Sequence, residues 1–314
     1  MQFDYLATAL RLRWEELPAA IQHAIEANIA QPVTRVEVAG GGFTPGFAAV
    51  INDRWFIKAA PARIPWLFDA YRREAEVAVA LPEGIPMPRF LGASSVSTSS
   101  DSWQLIYVES VVGKIPGNPW TAAELAAVES ALVTVDEVLT PAPIDLKTTP
   151  LSRTVTDDPE LGLVFPETFP DFLPPLAETS RWQLQSLLQN SETALAGQSL
   201  QHNALRPDNI LMTEHGALFC DWNFIASGSR WADWVVMLAY ARLDGLDVAN
   251  ALALSTLSKD ADPDHIDSWL SALLAYMIHA GSQAEVSNSP ALREHQRFSA
   301  KMLLDWLIER RELI

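Results

Sequence analysis

One cysteine, Cys220, stands in a chain of 314 residues, so no internal disulfide can form and no cysteine-rich metal site exists. That suits a reducing cytoplasm. Basic side chains are also scarce, 22 against 39 acidic ones, and the formal charge of -17 repels nucleic-acid phosphates and anionic membrane surfaces. The same acidity would draw in a cationic small molecule, although solubility alone also accounts for it. No apolar run approaches the ~20 residues of a membrane-spanning helix. The opening stretch MQFDYLATALRLRW carries Asp4 ahead of its apolar residues and lacks a basic start followed by an apolar block, so it does not read as a secretory signal. The expectation is a soluble cytoplasmic protein with neither nucleic acid nor membrane as partner.

Apolar material for a core is ample: hydrophobic residues make up 49% of the chain, an ordinary globular share, and the length fits two lobes. Two helical patterns open the chain, Tyr5 to Leu17 and Pro18 to Ile29, the second with proline at its first position. Short β-branched or aromatic runs follow: VTRVEVA (33–39), FAAVIN (47–52), RWFIKAA (54–60), then MPRFLGA and SWQLIYVE, an antiparallel meander. A helix over Ile64 to Leu81 interrupts it, with Leu67, Ala70, Tyr71, Ala75 and Ala78 on one face. Beyond the glycine- and proline-bearing linker SVVGKIPGNPW the periodic segments are helical, at 121–139, 175–196, 231–243, 265–281 and 290–311. A proline-rich stretch with little periodicity lies at 140–175. The fold class read from this order is α+β and bilobal. Residues 1–110 form a lobe with two leading helices and a five-stranded antiparallel sheet carrying a helix, and residues 111–314 a mostly helical lobe.

Between positions 209 and 221 the chain reads Asn209, ILMT, EHG, ALFC, Asp221, two four-residue strands around a short turn. Equal arms bring Asn209 and Asp221 opposite each other at the open end, offering an amide oxygen and a carboxylate, hard donors that suit Mg2+. Taken alone, Asn and Asp also simply end strands. The preceding loop shifts that balance. HNALRPDN, His202 to Asn209, has the spacing of the H-x-D-x-x-x-x-N catalytic loop of protein kinases, and CDW puts Asp221 where their second metal-binding aspartate stands. Upstream, AGGGFTPGFAAVI (39–51) makes a glycine-rich turn whose backbone at Gly41, Gly42 and Phe43 can approach phosphates closely. Lys58 is a charge among aromatic and aliphatic strand residues. Glu74 on the next helix is its partner in the kinase order of glycine turn, lysine strand and glutamate helix, with Glu76 the second choice.

With HNALRPDN and CDW in this register, the chain resembles the aminoglycoside phosphotransferase family. These small-molecule kinases read H-G-D-L-H-P-G-N or H-N-D-L-R-P-D-N, followed by a hydrophobic residue and D-W. The resemblance implies a protein-kinase-like fold, ATP as phosphoryl donor with GTP not excluded, and a hydroxyl of a small molecule such as an aminoglycoside as acceptor. Carried over by residue, Asn209 and Asp221 are the magnesium ligands, Arg206 lies near the transferred phosphate and His202 braces the loop. Tyr107, Glu109 and Ser110 lead to the hinge that offers main-chain groups to the purine. Asp233 is expected to buttress the loop. Asp157, Asp158, Glu160, Asp171, Asp244, Asp247, Asp262 and Asp264 are candidates for an acidic acceptor cleft, although a solvated surface explains any one of them better.

One position departs from the family pattern. Ala204 stands where the base aspartate is expected, and a general base contributes about 100- to 10,000-fold. Nucleotide binding would survive that loss, because positioning and charge stabilisation carry most of phosphoryl transfer. Two readings follow. One is a phosphotransferase inactivated by replacement of the aspartate, favoured because Lys58, Glu74, Arg206, Asn209 and Asp221 are all kept. The other is a natural pseudokinase that binds nucleotide as a scaffold. The lack of D-F-G and A-P-E segments sets a protein kinase aside.

Overall fold

The computed structural model describes residues 3–314 apart from Ala7, Ile144, Asp145, Asp158 and Thr168, so the expectation for Asp158 lies outside the described residues. The β-branched and aromatic runs pair into a five-stranded antiparallel sheet in the order β1-β2-β3-β5-β4. Its strands are β1 (Val36–Val38), β2 (Phe47–Ile51), β3 (Trp55–Pro61), β4 (Phe90–Ser97) and β5 (Ser102–Glu109). Alternate side chains of a strand face opposite ways, and here that alternation separates core from cleft. Ile57 and Ala59 of β3 and Trp103, Leu105 and Tyr107 of β5 are buried on one face, packed with Ile21 and Ile25 of α1 (Ala19–Ile29). Full burial of each large aliphatic chain is worth about 1.5–3 kcal/mol, so this face anchors the strands. On the opposite face Ala60 and Ile106 pack under Leu67, Tyr71 and Ala75 of α2 (Pro65–Ala80), and Lys58 points the same way.

Helices dominate the rest. They are α3 (Ala122–Leu139), the four-residue α4 (Arg153–Thr156) and α5 (Val164–Glu167), α6 (Glu178–Gln189), α7 (Ser191–Ala194), α8 (Ala232–Arg242), α9 (Val248–Leu254), α10 (Pro263–Ser282) and α11 (Leu292–Arg311). A capping box starts α3: Glu124 N–H donates to Thr121 Oγ1 (3.2 Å) while Thr121 N–H donates to the Glu124 carboxylate (3.1 Å). The linker ends there. Helix α10 is buried around most of its surface and packs on α6 and α11, forming the centre of this lobe's core. Two short ladders complete this part of the chain: β6 (Thr149–Pro150), β7 (Ser199–Gln201) and β10 (Ala226–Gly228) in one sheet, and β8 (Ile210–Thr213) with β9 (Gly216–Phe219) in another. The architecture is the bilobal, protein-kinase-like α+β fold. Among the described residues no helix is long and apolar enough to cross a membrane.

Two local expectations fail. The described residues from Tyr5 to Leu17 form no α-helix; apart from one 3-10 turn at Trp14–Glu16 they are irregular. Its backbone is satisfied by distant partners instead, Thr8 N–H donating to the Gly40 carbonyl (3.4 Å) and Leu10 N–H to the Asn288 carbonyl (2.9 Å). Leu6 and Leu10 stay exposed while Tyr5 and Thr8 are buried. The proposed leading pair is therefore one helix, and Pro18 precedes α1 as its N-cap residue. The long pattern at 175–196 is likewise broken at Asn190, whose side chain donates to Ser268 Oγ (3.3 Å). Helix α9, seven residues long, is too short to reveal a period.

Candidate active site

Lys58 leaves the cleft face of β3, and its ammonium donates to both carboxylate oxygens of Glu74 on α2 (2.8 and 2.9 Å) and to Asp221 Oδ1. Burial works to lower the Lys58 pKa, but Asp221 and Glu74 outweigh it and hold the ammonium protonated above its usual range. Burial pushes the Glu74 carboxyl up to about 7, against the pull of Lys58. Burial would also raise Asp221, yet Lys58 keeps it below the ordinary carboxylate range. One ammonium between two carboxylates leaves a negative balance that a divalent cation would neutralise. Glu76, the second choice of partner, pairs with Arg73 instead (3.5 Å).

The hairpin differs from expectation by one residue. Its turn holds only Glu214 and His215, β9 begins at Gly216, and Ile210 pairs with Phe219. Gly216 takes φ 124°, which glycine adopts without steric cost, and so closes the tighter turn. Asn209 therefore faces Cys220, whose N–H donates to the Asn209 carbonyl (2.9 Å), rather than Asp221. Asp221 follows in the left-handed region at φ 66°. Even so, Asn209 and Asp221 line the same cavity. The Asn209 amide donates to the Ala204 carbonyl (2.8 Å), and its Oδ1 lies 3.5 Å from an Arg206 nitrogen.

The loop between β7 and β8 is fixed from below. The Asp233 carboxylate accepts the backbone N–H of His202 (2.6 Å) and of Asn203 (3.1 Å), as expected of a buttress. Burial nevertheless pushes the Asp233 carboxyl up to about 6, with those two donors opposing it. His202 Nε2 donates to the Cys220 carbonyl (2.7 Å), which ties the loop to the hairpin and sets the tautomer; its ring is buried, and burial pushes its pKa down to about 4. The role is bracing. Arg206 grips Asp208 with a bidentate pair (2.9 and 3.0 Å), and the Asp208 side chain has no exposed surface. Asp208 is thereby unable to substitute for a base at Ala204.

The cavity between the sheet and this loop has a volume of about 260 Å³ and is lined by Gly41, Gly42, Lys58, Glu74, Asn209 and Asp221, with Glu109, Ser110 and Val111 at its edge. Three sequence expectations are corrected in detail. Tyr107 is buried on the opposite face of the sheet, where its hydroxyl meets Ser94 (3.3 Å), because position 107 alternates with 108. Glu109 and Ser110 line the cavity, but their N–H groups already donate to the Arg89 and Arg54 carbonyls (both 2.9 Å); of the three lining hinge residues, Val111 is the one whose N–H has no backbone partner among the described residues. Phe43 turns away from the cavity and stacks on Arg206 (5.2 Å) and His295 (4.8 Å).

Two further groups were hidden from sequence reasoning. Phe3 lies against Phe43 and against His295 and Phe298 of α11, while Tyr5 packs on Phe3 and on His295, its hydroxyl 3.3 Å from His295 Nε2. Arg11 lines the cavity beside the glycine turn. Neither had a signal, since Tyr5 and Arg11 sit in a stretch that reads as helix and Phe3 just ahead of it. The acidic candidates mostly serve other ends: Asp247 and Asp262 cap helices, Asp264 pairs with Arg311, Glu160 meets His279 (3.1 Å), and Asp157 and Asp171 are exposed. Among the described candidates only Asp244, which accepts the Trp120 N–H (2.8 Å), lines a second, 20 Å³ hollow next to Pro207 and Tyr5.

A two-lobed kinase-like fold with a lysine, a glutamate and an aspartate meeting between the lobes defines a class, and comparison with known proteins narrows it. The model of the phosphotransferase enzyme family, APH, matches residues 35–267, and the chain belongs to that family. Solved structures share the fold at low identity. The GDP and kanamycin complex of APH(2")-IIIa aligns with a TM-score of 0.64 at 16% identity, covering 93% of this chain and 98% of that one. Spectinomycin phosphotransferase, APH(9)-Ia, with ADP and spectinomycin aligns at 0.60 and 10% identity, covering 93% and 98%. A thermostable mutant of APH(4)-Ia with ADP and hygromycin B aligns at 0.58 and 12%, covering 93% and 99%. No curated protein sequence matched the chain.

Proposed function

We propose that the cavity binds a purine nucleoside triphosphate together with magnesium, and that the protein is a small-molecule O-phosphotransferase whose transfer step is disabled at Ala204. The observation that carries this is the Lys58 ammonium held between Glu74 and Asp221 in one cavity with Asn209. A lysine so held is positioned for the α- and β-phosphates. The division between nucleotide and acceptor lobes is placed between residues 110 and 111, just past the end of β5.

The donor set fits magnesium. Asn209 and Asp221 offer one amide and one carboxylate oxygen, and among the described residues no group of three or more His, Cys, Asp or Glu competes as a self-sufficient cage. Mg2+ is bound by one or two carboxylates plus substrate phosphates and, when present, neutralises charge on the β- and γ-oxygens. ATP is the donor favoured, and the GDP and ADP held by the solved structures support a purine nucleotide without choosing between them.

The acceptor is a hydroxyl-bearing small molecule. Kanamycin, spectinomycin and hygromycin B in the neighbours' complexes support an antibiotic of that kind, which would imply a resistance role in the cytoplasm, and the charge of -17 favours a cationic one. The methyl group of Ala204 can neither orient the acceptor hydroxyl nor take its proton. A scaffold role without turnover is the other reading, and one variant separates them. Ala204→Asp should raise transfer of labelled phosphate from ATP to an acceptor found by thermal-shift screening, by about 100- to 10,000-fold. If that variant binds MgATP and the acceptor yet transfers nothing, the phosphotransferase reading falls and the scaffold remains.

A further inference from the structure

Resting on the nucleotide reading of this cavity, we infer that Arg11, delivered by the irregular N-terminal arm, is a second phosphate-binding cation that works beside Lys58 on nucleoside di- and triphosphates. The arm enters from outside the matched family region, which begins at residue 35. It is tied to both lobes: the Thr8 hydroxyl donates to the Gly42 carbonyl (2.5 Å), and Leu10 N–H donates to the Asn288 carbonyl (2.9 Å). Arg11 is therefore placed by backbone anchors rather than swinging in solvent.

Its guanidinium sits on the glycine turn. One terminal nitrogen donates to the Gly41 carbonyl, the other lies 3.4 Å from Thr44 Oγ1, and the buried Nε has no hydrogen-bond partner among the described residues. Gly42, at φ 82°, makes room for it, since a Cβ there would come within 2.8 Å of the guanidinium. A phosphate-binding turn thus carries a fixed cation with an unused donor.

Charge balance says what that cation is for. The charged residues lining the cavity are Arg11 and Lys58 against Glu74, Glu109, Asp208 and Asp221. Lys58 is shared between two carboxylates, and the neighbouring Arg206 is spent on both oxygens of Asp208. Among the described residues Arg11 has no carboxylate within salt-bridge distance, and so it is the lining cation not held in an ion pair, although its charge is felt by Asp221. A polyphosphate entering a protein of formal charge -17 needs such a group.

The test compares Kd values for AMP, ADP and ATP with magnesium, by calorimetry, in the unaltered chain and in Arg11→Gln, Arg11→Ala and Arg11→Lys. Melting curves without nucleotide identify variants that are folded. The inference expects Arg11→Gln and Arg11→Ala to weaken ADP and ATP by about tenfold or more, the worth of one or two charge-assisted hydrogen bonds, with a smaller loss for AMP and substantial rescue by Arg11→Lys. Equal losses across all three nucleotides, with no rescue by lysine, would mean that Arg11 only staples the glycine turn, and the inference fails. Unchanged ATP affinity in Arg11→Gln also overturns it while leaving the nucleotide reading intact. Absence of MgATP binding in the unaltered chain overturns both.

Discussion

His295 illustrates how a single buried side chain sets a pH dependence. Burial pushes its imidazole pKa down to about 3, with Arg206 adding to the shift, while the unfolded value stays near 6.5. Between those pH values the unfolded chain binds a proton that the folded chain refuses, so stability falls as the pH falls through this window. The unaltered chain should lose about 2 kcal/mol more than His295→Gln between pH 7 and pH 5. Urea midpoints at the two pH values measure it, and equal losses would show that the imidazole takes up its proton in place. The candidate site was legible for two reasons: Lys58 is a charge amid apolar strand neighbours, and Glu74, Asn209 and Asp221 follow it at a spacing shared with kinases. Tyr107 was misread because an aromatic residue on a strand suits either face, and only pairing decides which.

At the scale of elements, the sheet, α2, α3 and α11 follow their periodic patterns closely, because each buries one consistent face, and α10 is legible although most of its surface is buried. What the pattern missed is the arm at 3–13 and the hairpin register. The arm carries a helical pattern in sequence, but Thr8 and Leu10 find their partners in the carbonyls of the glycine turn and of Asn288, and a period cannot announce such distant partners. The hairpin slipped by one residue because Gly216 could end the turn or begin the strand, and counting arms cannot tell which. The loop before it depends on Asp233 of α8, which satisfies two backbone donors at once. Asp233→Ala leaves both N–H groups without their partner and should cost about 2 kcal/mol or more. A fall in the urea midpoint at unchanged m-value reports that loss; an unchanged midpoint would mean the loop is held by the hairpin contact of His202 alone.

At the scale of the molecule, two lobes with separate cores meet along a cleft, and the lysine, glutamate and aspartate joined there come from three distant parts of the chain. That convergence, more than any one residue, ties fold to chemistry. It also explains why Ala204 leaves the rest in place, since its methyl group takes no part in the ion pairs that close the cleft. The most direct measurement is a calorimetric titration of the chain with ATP, in the presence and absence of magnesium, beside Lys58→Met. The account predicts saturable binding that requires the metal and that Lys58→Met weakens by about tenfold or more. Binding indifferent to both magnesium and Lys58, or no binding at all, would contradict it.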